Sequence, residues 1–226
     1  MIGIIDYGMG NLRSVQKAFE HVGSDARICK SPDELTGIEK LILPGVGAFA
    51  DGMEHLGQRG WIAAIKDFAA SGKPMLGICL GMQLLFEGSQ EDSPLPDELV
   101  PGLALLPGKV LHFQIKELTP PPGADSNGKR MKVPHMGWNS VRFNSEAPDR
   151  HPALAGIPQD SYFYFVHSYY AAPKDSDGVG GITEYGIPFC SIYAKDNLVA
   201  TQFHPEKSGP AGLRFYKNFI GMAGAK

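Results

Sequence analysis

This chain of 226 residues has few cysteines, no excess of basic over acidic side chains and no long apolar run. The three cysteines, Cys29, Cys79 and Cys190, are odd in number and far apart, so the sequence indicates neither a disulfide framework nor a Cys-x-x-Cys metal site. A cysteine with a function here would act as a thiol. The 21 basic and 24 acidic side chains give a net charge of −3, which excludes a general affinity for nucleic-acid phosphates.

The longest apolar run without a charged side chain extends from Pro74 to Phe86 and is too short to cross a bilayer. Asp6 interrupts the N-terminal apolar run where a secretory peptide would still be hydrophobic. We therefore expect a cytoplasmic protein without a membrane-spanning segment. The length suits one sizeable core, which predicts a single domain over residues 1–226.

Short apolar strands alternate with amphipathic helices in the first half of the chain. Helical periodicity extends from Leu12 to Val22 and again from Met53 to Phe68, where glycines at 57 and 60 predict a break. This alternation favours an α/β fold, with a mostly parallel sheet covered by helices on both faces. The predicted strands are Ile2–Asp6, Ala26–Cys29, Lys40–Pro44 and Met75–Ile78.

The second half has the pattern of strands joined by turns, followed by a closing helix with Ser208 as its N-cap. The change of pattern comes after Gly88. The segment Thr119–Gly128, within the stretch from Lys116 to Lys132, lacks a large apolar side chain, which predicts a surface excursion. The predicted strands are Lys109–Gln114, Ser140–Phe143, Tyr162–Tyr170, Gly181–Tyr185, Phe189–Tyr193 and Leu198–Phe203.

Cys79 stands in the segment Gly77-Ile78-Cys79-Leu80-Gly81, between an apolar strand and a segment of helical character, Met82–Phe86. This is the pattern of a nucleophile elbow, in which flanking glycines allow a sharp turn from strand to helix. A helix N-terminus favours the thiolate, which is the reactive form of cysteine. The alternative is a buried structural cysteine, the usual fate of a free thiol.

A cysteine nucleophile needs a base, and His204-Pro205-Glu206 provides an imidazole with a carboxylate two residues later. If Gln202 to His204 ends a strand, His204 and Glu206 lie on the same face. The alternative is an incidental ion pair on a surface loop.

The glycine-rich segment Pro44-Gly45-Val46-Gly47 follows another predicted strand. Such a loop can present the backbone N–H groups that an oxyanion hole requires, although a simple turn also favours glycine. The order of the three segments on one α/β pattern predicts thiol-dependent acyl transfer.

These three segments resemble the motifs of the class I, triad-type glutamine amidotransferases. Four further segments resemble the glutaminase subunits of imidazole glycerol phosphate synthases, which act in histidine biosynthesis. They are IDYGMGNLRSV near the N-terminus, Leu106-Pro107-Gly108-Lys109-Val110, Val133-Pro134-His135-Met136-Gly137-Trp138-Asn139 and Tyr164-Phe165-Val166-His167-Ser168-Tyr169. The resemblance covers nearly the whole chain and implies the flavodoxin-like fold of that family, with extra antiparallel strands in the C-terminal half.

The resemblance implies hydrolysis of L-glutamine to glutamate and ammonia by a triad of Cys79, His204 and Glu206. It places the oxyanion at the backbone of Leu80 and of the loop Gly45, Val46 and Gly47. Substrate contacts are implied for Gln83, Glu91, Ser168 and Tyr169.

The resemblance also implies a heterodimer with a (β/α)₈-barrel cyclase subunit, which uses the ammonia to make imidazole glycerol phosphate and AICAR. Asn11, Trp138, Tyr164 and Lys207 are expected near that junction; taken singly, Trp138 is equally explained as core and Lys207 as a solvated charge. We expect no metal, because His135 and His167 lack a nearby cysteine or acidic spacing and are better explained as hydrogen-bonded structural histidines. We also expect no cofactor: Arg13 stands where a dinucleotide-binding turn has its third glycine, and Lys73 is followed by Pro74, so no P-loop is present.

Two alternatives remain open on the sequence. An amidotransferase subunit of aminobenzoate, pyridoxal or purine synthesis would share the fold, and the segment from Pro134 to Asn139 argues against it. A regulatory protein without catalysis would have no chemical reason to keep all three triad residue types.

Overall fold

The computed structural model describes residues 1–93, 98–114, 131–144 and 150–224. In this part of the chain the α-helices are α1 (Leu12–His21), α2 (Phe49–Gln58), α3 (Trp61–Ala70), α4 (Leu80–Leu84) and α5 (Gly209–Gly221). The strands are β1 (Ile2–Ile5), β2 (Ala26–Cys29), β3 (Lys40–Gly45), β4 (Met75–Cys79), β5 (Phe86–Ser89), β6 (Val100–Pro101), β7 (Leu106–His112), β8 (His135–Phe143), β9 (Ser161–His167), β10 (Tyr169–Pro173), β11 (Val179–Tyr185), β12 (Ile187–Lys195) and β13 (Leu198–Thr201). No helix in these ranges has the length and apolarity needed to span a membrane.

The first four strands of the chain and the late strand β13 form a parallel sheet in the order β2-β1-β3-β4-β13. Its central strands are buried because both faces are covered: every residue of β1 and of β4 is buried, and so is every residue of β3 after Lys40. On β3, Ile42 packs in one apolar layer while Leu41 and Leu43 pack in the other, as the two-residue period of a strand requires. The mostly parallel sheet expected from the apolar runs is therefore confirmed.

The helices divide between the two faces. α1 and α5 pack on one face, where the rings of Phe19 and Tyr216 lie 4.3 Å apart, centroid to centroid. α2 and α3 pack on the other through Leu56, Trp61 and Ile65. This arrangement leaves the carboxyl ends of β3 and β4 open toward α4 and the loops, which is where open α/β sheets bind ligands.

Beyond β13 the sheet becomes antiparallel, and it continues through β12, β10 and β7. The hairpin predicted around Lys195 to Asn197 is confirmed by the pairing of β12 with β13. β8 and β9 form an antiparallel pair joined to this sheet through β11. The mixed α/β fold with antiparallel strands in the C-terminal half agrees with the expectation.

Several predicted boundaries are wrong. Phe86 begins β5 and does not end a helix, since α4 has only five residues. The single strand expected over Tyr162–Tyr170 is two strands, because β9 pairs with β8 whereas β10 turns at Ser168 to pair with β7. The strand expected over Lys109–Gln114 is Leu106–His112. The predicted excursion lies outside the described residues over 116–130.

Gly81 of α4 lies in very close contact with the backbone of β3. A Cβ atom on Gly81 would overlap the carbonyl oxygen of Leu43 on β3, and backbone cannot move aside as a flexible side chain could. We predict that Gly81→Ala lowers the free energy of unfolding by about 2 kcal/mol or more. The matched control is Gly221→Ala, where a Cβ meets nothing within 4 Å. Urea unfolding followed by circular dichroism measures both, and equal stability of the two variants would contradict the argument.

Candidate active site

A pocket of about 350 Å³ opens at the carboxyl ends of β3 and β4. Its volume is in the range of small-molecule sites. It contains the sequence-predicted nucleophile and base, together with parts of the glycine-rich loop and of the predicted substrate contacts. The lining residues are Val46, Gly47, Cys79, Leu80, Gln83, Glu91, Pro134, Val166, His167, Ser168, Tyr169 and His204.

Cys79 occupies the sharp turn between β4 and α4. Its backbone has φ 55° and ψ −110°, a conformation that a non-glycine residue adopts only under strain. The predicted role of the flanking glycines agrees with the geometry, because a Cβ on Gly77 would lie 2.8 Å from the carbonyl oxygen of Gly81. The turn aims a cysteine that is only 6% exposed into the pocket.

His204 and Glu206 form a buried pair beside the pocket. Nδ1 of His204 lies 2.7 Å from Oε1 of Glu206, and the side chains are 3% and 1% exposed. The expected proximity is therefore present, but the assumed strand is not: β13 ends at Thr201, and a 3₁₀ turn over Pro205–Lys207 brings the carboxylate back to the imidazole. The surface ion pair considered as an alternative does not fit this burial.

The second ring nitrogen of His204, Nε2, is buried without a hydrogen-bond partner among the described residues. Burial lowers the pKa of His204, but the Cys79 sulfur and the Glu206 carboxylate together outweigh it and raise the pKa to about 10. The Cys79 sulfur is thus near enough to the imidazole to raise its pKa. A histidine in this state carries a proton that it can give to a third group.

The loop after β3 lies directly beside the nucleophile. Gly45 is in register with Cys79 across the parallel pair β3–β4. Gly47 has φ 106°, and Val46 is 42% exposed, so no buried side chain anchors this loop at its centre. Leu80 is the first residue of α4, where backbone N–H groups have no partner within the helix.

The four predicted substrate contacts all reach the pocket wall. Nε2 of Gln83 donates to the carbonyl oxygen of Tyr169 at 2.9 Å. The carboxylate of Glu91 accepts a hydrogen bond from the backbone N–H of Phe49 at 2.9 Å, and burial raises the pKa of this carboxyl. Ser168 lies at the junction of β9 and β10. The pocket wall therefore carries both side-chain and backbone polar groups.

His135 and His167 are hydrogen-bonded to each other, Nδ1 to Nε2, at 2.9 Å. Burial lowers the pKa of His135 to about 4 and that of His167 to about 3, so both rings are neutral. Nδ1 of His167 lies 2.8 Å from the carbonyl oxygen of Tyr169. The pair thus supports the strand junction at the pocket, as the structural interpretation of these histidines predicts.

Three of the four predicted junction residues lie together on one surface. The rings of Trp138 and Tyr164 meet edge to face with centroids 6.2 Å apart, and Nζ of Lys207 lies 5.7 Å from the Tyr164 ring. Trp138 is 56% exposed, so its explanation as core is wrong. Asn11 is the exposed N-cap residue of α1, and its side chain accepts a hydrogen bond from the N–H of Ser14.

The structure adds contacts that the sequence did not indicate. Nε2 of Gln202 lies 3.8 Å from the Cys79 sulfur, and the hydroxyl of Tyr216 lies 3.3 Å from Oε2 of Glu206. Ser208, predicted as a capping side chain, instead donates to the carbonyl oxygen of His204 and accepts from the N–H of Tyr164. Spacing from His204 could have identified Gln202 and Ser208, whereas Tyr216 belongs to the apolar stripe of α5 and gives no such signal.

The described ranges contain no group of three or more His, Cys, Asp or Glu side chains placed to hold a metal ion. The chemical groups gathered at the pocket are a cysteine sulfur, an imidazole paired with a buried carboxylate, and backbone N–H groups at the start of α4. These groups are suited to attack on a carbonyl carbon with expulsion of an amine or an alcohol.

Comparison with known proteins agrees with this chemistry. The profile of the glutamine amidotransferase class-I family matches residues 3–222. The imidazole glycerol phosphate synthase subunit HisH of Desulfitobacterium hafniense is 49% identical over 219 residues, covering 97% of this chain and 93% of the relative. The HisH subunit of Moorella thermoacetica is 50% identical over 218 residues, covering 96% and 93%.

A solved structure of PurLQS from Thermotoga maritima shares the fold, with a TM-score of 0.69 at 16% identity, covering 97% of each chain. The sequence relatives are HisH subunits, which decides against the amidotransferases of other pathways considered above. The chain belongs to the class-I glutamine amidotransferase family and, within it, to the HisH subunits of imidazole glycerol phosphate synthase.

Proposed function

We propose that this chain hydrolyses L-glutamine to glutamate and ammonia with Cys79, His204 and Glu206, as the glutaminase subunit of an imidazole glycerol phosphate synthase. The observation that supports the triad most directly is the 2.7 Å contact between His204 and Glu206 beside a pocket that contains Cys79. The profile match over residues 3–222 supports treating residues 1–226 as one amidotransferase domain.

In the first step the sulfur of Cys79 attacks the carboxamide carbon of glutamine. Nε2 of His204 delivers its proton to the departing nitrogen, so the C–N bond breaks and ammonia leaves a γ-glutamyl thioester. The raised pKa of His204 supports this role, because the ring is protonated at neutral pH before the attack. Glu206 holds the ring through Nδ1 and balances its charge.

In the second step a water molecule hydrolyses the thioester. His204, now neutral, takes a proton from the water as it attacks, and the thiolate of Cys79 leaves with glutamate as the product. Both steps pass through a tetrahedral oxyanion. We assign its stabilisation to the N–H of Leu80 and to an N–H of the loop Gly45–Val46–Gly47, both beside the sulfur.

Gln83, Glu91, Ser168 and Tyr169 are proposed to hold the glutamine. Glu91 is suited to the α-ammonium group because it is the carboxylate on the pocket wall. The NH₂ group of Gln83 already donates to Tyr169 and Gln202, so its side-chain oxygen is the group left for the ligand, together with the backbone around Ser168.

The ammonia is proposed to pass to a (β/α)₈-barrel cyclase subunit bound at the surface of Trp138, Tyr164 and Lys207, with Asn11 at the same junction. An exposed tryptophan against a half-buried tyrosine is typical of protein interfaces, where aromatic residues are enriched. Free ammonia in water at neutral pH is mostly protonated and no longer nucleophilic, so transfer through a sealed junction is a chemical requirement.

We predict that Cys79→Ala abolishes glutamine-dependent activity of the complex and leaves its ammonium-dependent activity unchanged, because only the thiol is removed. The matched control is Cys29→Ala, which removes a second buried thiol far from the pocket and should keep both activities. Glutamate release and product formation are measured in parallel. Retained glutamate release by Cys79→Ala would end the assignment.

Glu206→Gln should lower the glutaminase kcat at least roughly 100-fold and move the alkaline limit of activity to lower pH. With Glu206 in place, His204 keeps its proton until the pH approaches about 10. Loss of the carboxylate removes one group that raises this pKa while burial continues to lower it, so the proton is lost at lower pH. A pH profile of glutamate release measures the shift, with Glu20→Gln on the exposed face of α1 as control. An unshifted limit speaks against His204 as the proton donor.

The isolated chain should release glutamate slowly, and adding the cyclase subunit with its ligand should raise the rate.

The Lys207→Ala variant should require more cyclase to reach that rate, because the substitution removes the cation beside Tyr164 from the proposed junction. Lys66→Ala, an exposed lysine on α3, should titrate as the unmodified chain does. Identical titration curves for both variants would exclude Lys207 from the junction.

A further inference from the structure

Tyr7 is a buried tyrosine whose hydroxyl has no hydrogen-bond partner among the described residues. It follows β1 and is 0% exposed, in the apolar layer that also contains Leu43, Phe49 and Leu80. Buried tyrosine hydroxyls are normally hydrogen-bonded, because an unpaired donor in an apolar layer loses its interactions with water and gains none. A phenylalanine would fill the same space without that penalty, so the hydroxyl calls for an explanation.

The hydroxyl lies directly behind the glycine-rich loop. A Cβ atom on Gly45 would be 2.5 Å from the oxygen of Tyr7, so glycine is the residue that lets the two groups approach. The same Cβ would lie 2.9 Å from the Cβ of Leu80. Tyr7 itself does not line the pocket. It therefore contacts the loop from the core side, opposite to the substrate.

The electrostatic surroundings keep this hydroxyl protonated. Burial raises the pKa of Tyr7, and the negative charge of Cys79 raises it further. The hydroxyl is consequently a neutral donor over the whole working pH range. It lies near enough to the nucleophile to interact with its charge, yet it makes no hydrogen bond with it.

The geometry of a peptide group decides what a donor at this position can do. The carbonyl oxygen of Gly45 and the N–H of Val46 belong to one planar trans peptide and point in opposite directions. A donor on the core side that binds the carbonyl oxygen therefore directs the N–H toward the pocket. Gly45 has no side chain to oppose that rotation, and the exposed side chain of Val46 does not anchor the other orientation.

We propose that Tyr7 is a positioning residue of the oxyanion loop: in the glutamine-bound complex its hydroxyl donates a hydrogen bond to the carbonyl oxygen of Gly45 and so holds the N–H of Val46 toward the substrate. The inference rests on the proposed function, in which this loop supplies an oxyanion donor. The unpaired hydroxyl of the unbound chain is then the group that gains a partner when the site becomes active.

The test is Tyr7→Phe, which removes one oxygen atom and keeps the ring. In the complex with the cyclase subunit, the glutaminase kcat should fall about tenfold, less than the roughly 10²–10³ expected for loss of an oxyanion donor itself. KM for glutamine should change less than about twofold, since the loop acts on the transition state. Ammonium-dependent activity should be unchanged. The melting temperature of the chain should stay the same or rise, because an unpaired buried polar atom is removed.

Two further measurements separate this role from others. Alkylation of Cys79 by iodoacetamide needs no oxyanion donor, so its rate in Tyr7→Phe should equal that of the unmodified chain. The control variant Tyr193→Phe changes another buried tyrosine, one away from the pocket, and should leave every activity unchanged.

Three outcomes would overturn the proposal. A kcat of Tyr7→Phe within twofold of the unmodified chain would show that the hydroxyl is dispensable. Alkylation slowed in parallel with kcat would show that it acts on the sulfur and not on the loop. A lowered melting temperature with loss of all activities would show a packing role. Failure of the proposed function itself is recognised separately, by retained glutamate release in Cys79→Ala.

Discussion

The close approach of the β4–α4 turn to β3 determines the geometry of the whole site. Gly81 of α4 lies against the carbonyl oxygen of Leu43, which brings the start of the helix next to the end of the neighbouring strand. Gly45 and Cys79 are consequently opposite each other. The sulfur of Cys79, the start of α4 and the glycine-rich loop therefore meet at one place. The strained backbone of Cys79 costs on the order of 1–3 kcal/mol, which the buried strands on both sides can offset.

A second constraint is the burial of charge beside this turn. A carboxylate removed from water is stabilised when both of its oxygens have hydrogen-bond partners. Glu206 has two, His204 through one oxygen and Tyr216 through the other. Since Tyr216 belongs to α5 and packs on Phe19 of α1, the helices that cover one face of the sheet also fix the orientation of the carboxylate. Core packing and acid–base chemistry are therefore properties of the same residues.

The sequence predicts the parallel half of the fold well, because apolar strands and amphipathic helices alternate there with clear periods. It also predicts Cys79, His204 and the glycine-rich loop as parts of one site, since each carries a chemical reason for its residue types. It does less well where pairing partners decide the outcome, as at Ser168, where β9 and β10 belong to different pairs. Periodicity carries no information about which strand lies alongside.

The sequence does not reveal residues that act by positioning another group of the site. Tyr7 and Tyr216 are both explained by their apolar surroundings, and only the positions of their hydroxyl oxygens distinguish them from core phenylalanines. Interactions of this kind depend on angles and distances between segments far apart in the chain, which a linear pattern does not encode.

The pair β8–β9 presents Met136, Trp138 and Tyr162 with 62%, 56% and 61% of their surface exposed. Aromatic and sulfur-containing side chains grouped on an open sheet face attract one another between molecules as readily as they attract a different protein. A cell that made this chain in excess of its companion would accumulate molecules prone to self-association. Production of this chain and its partner in equal amounts would therefore keep the chain soluble, apart from any benefit to metabolic flux.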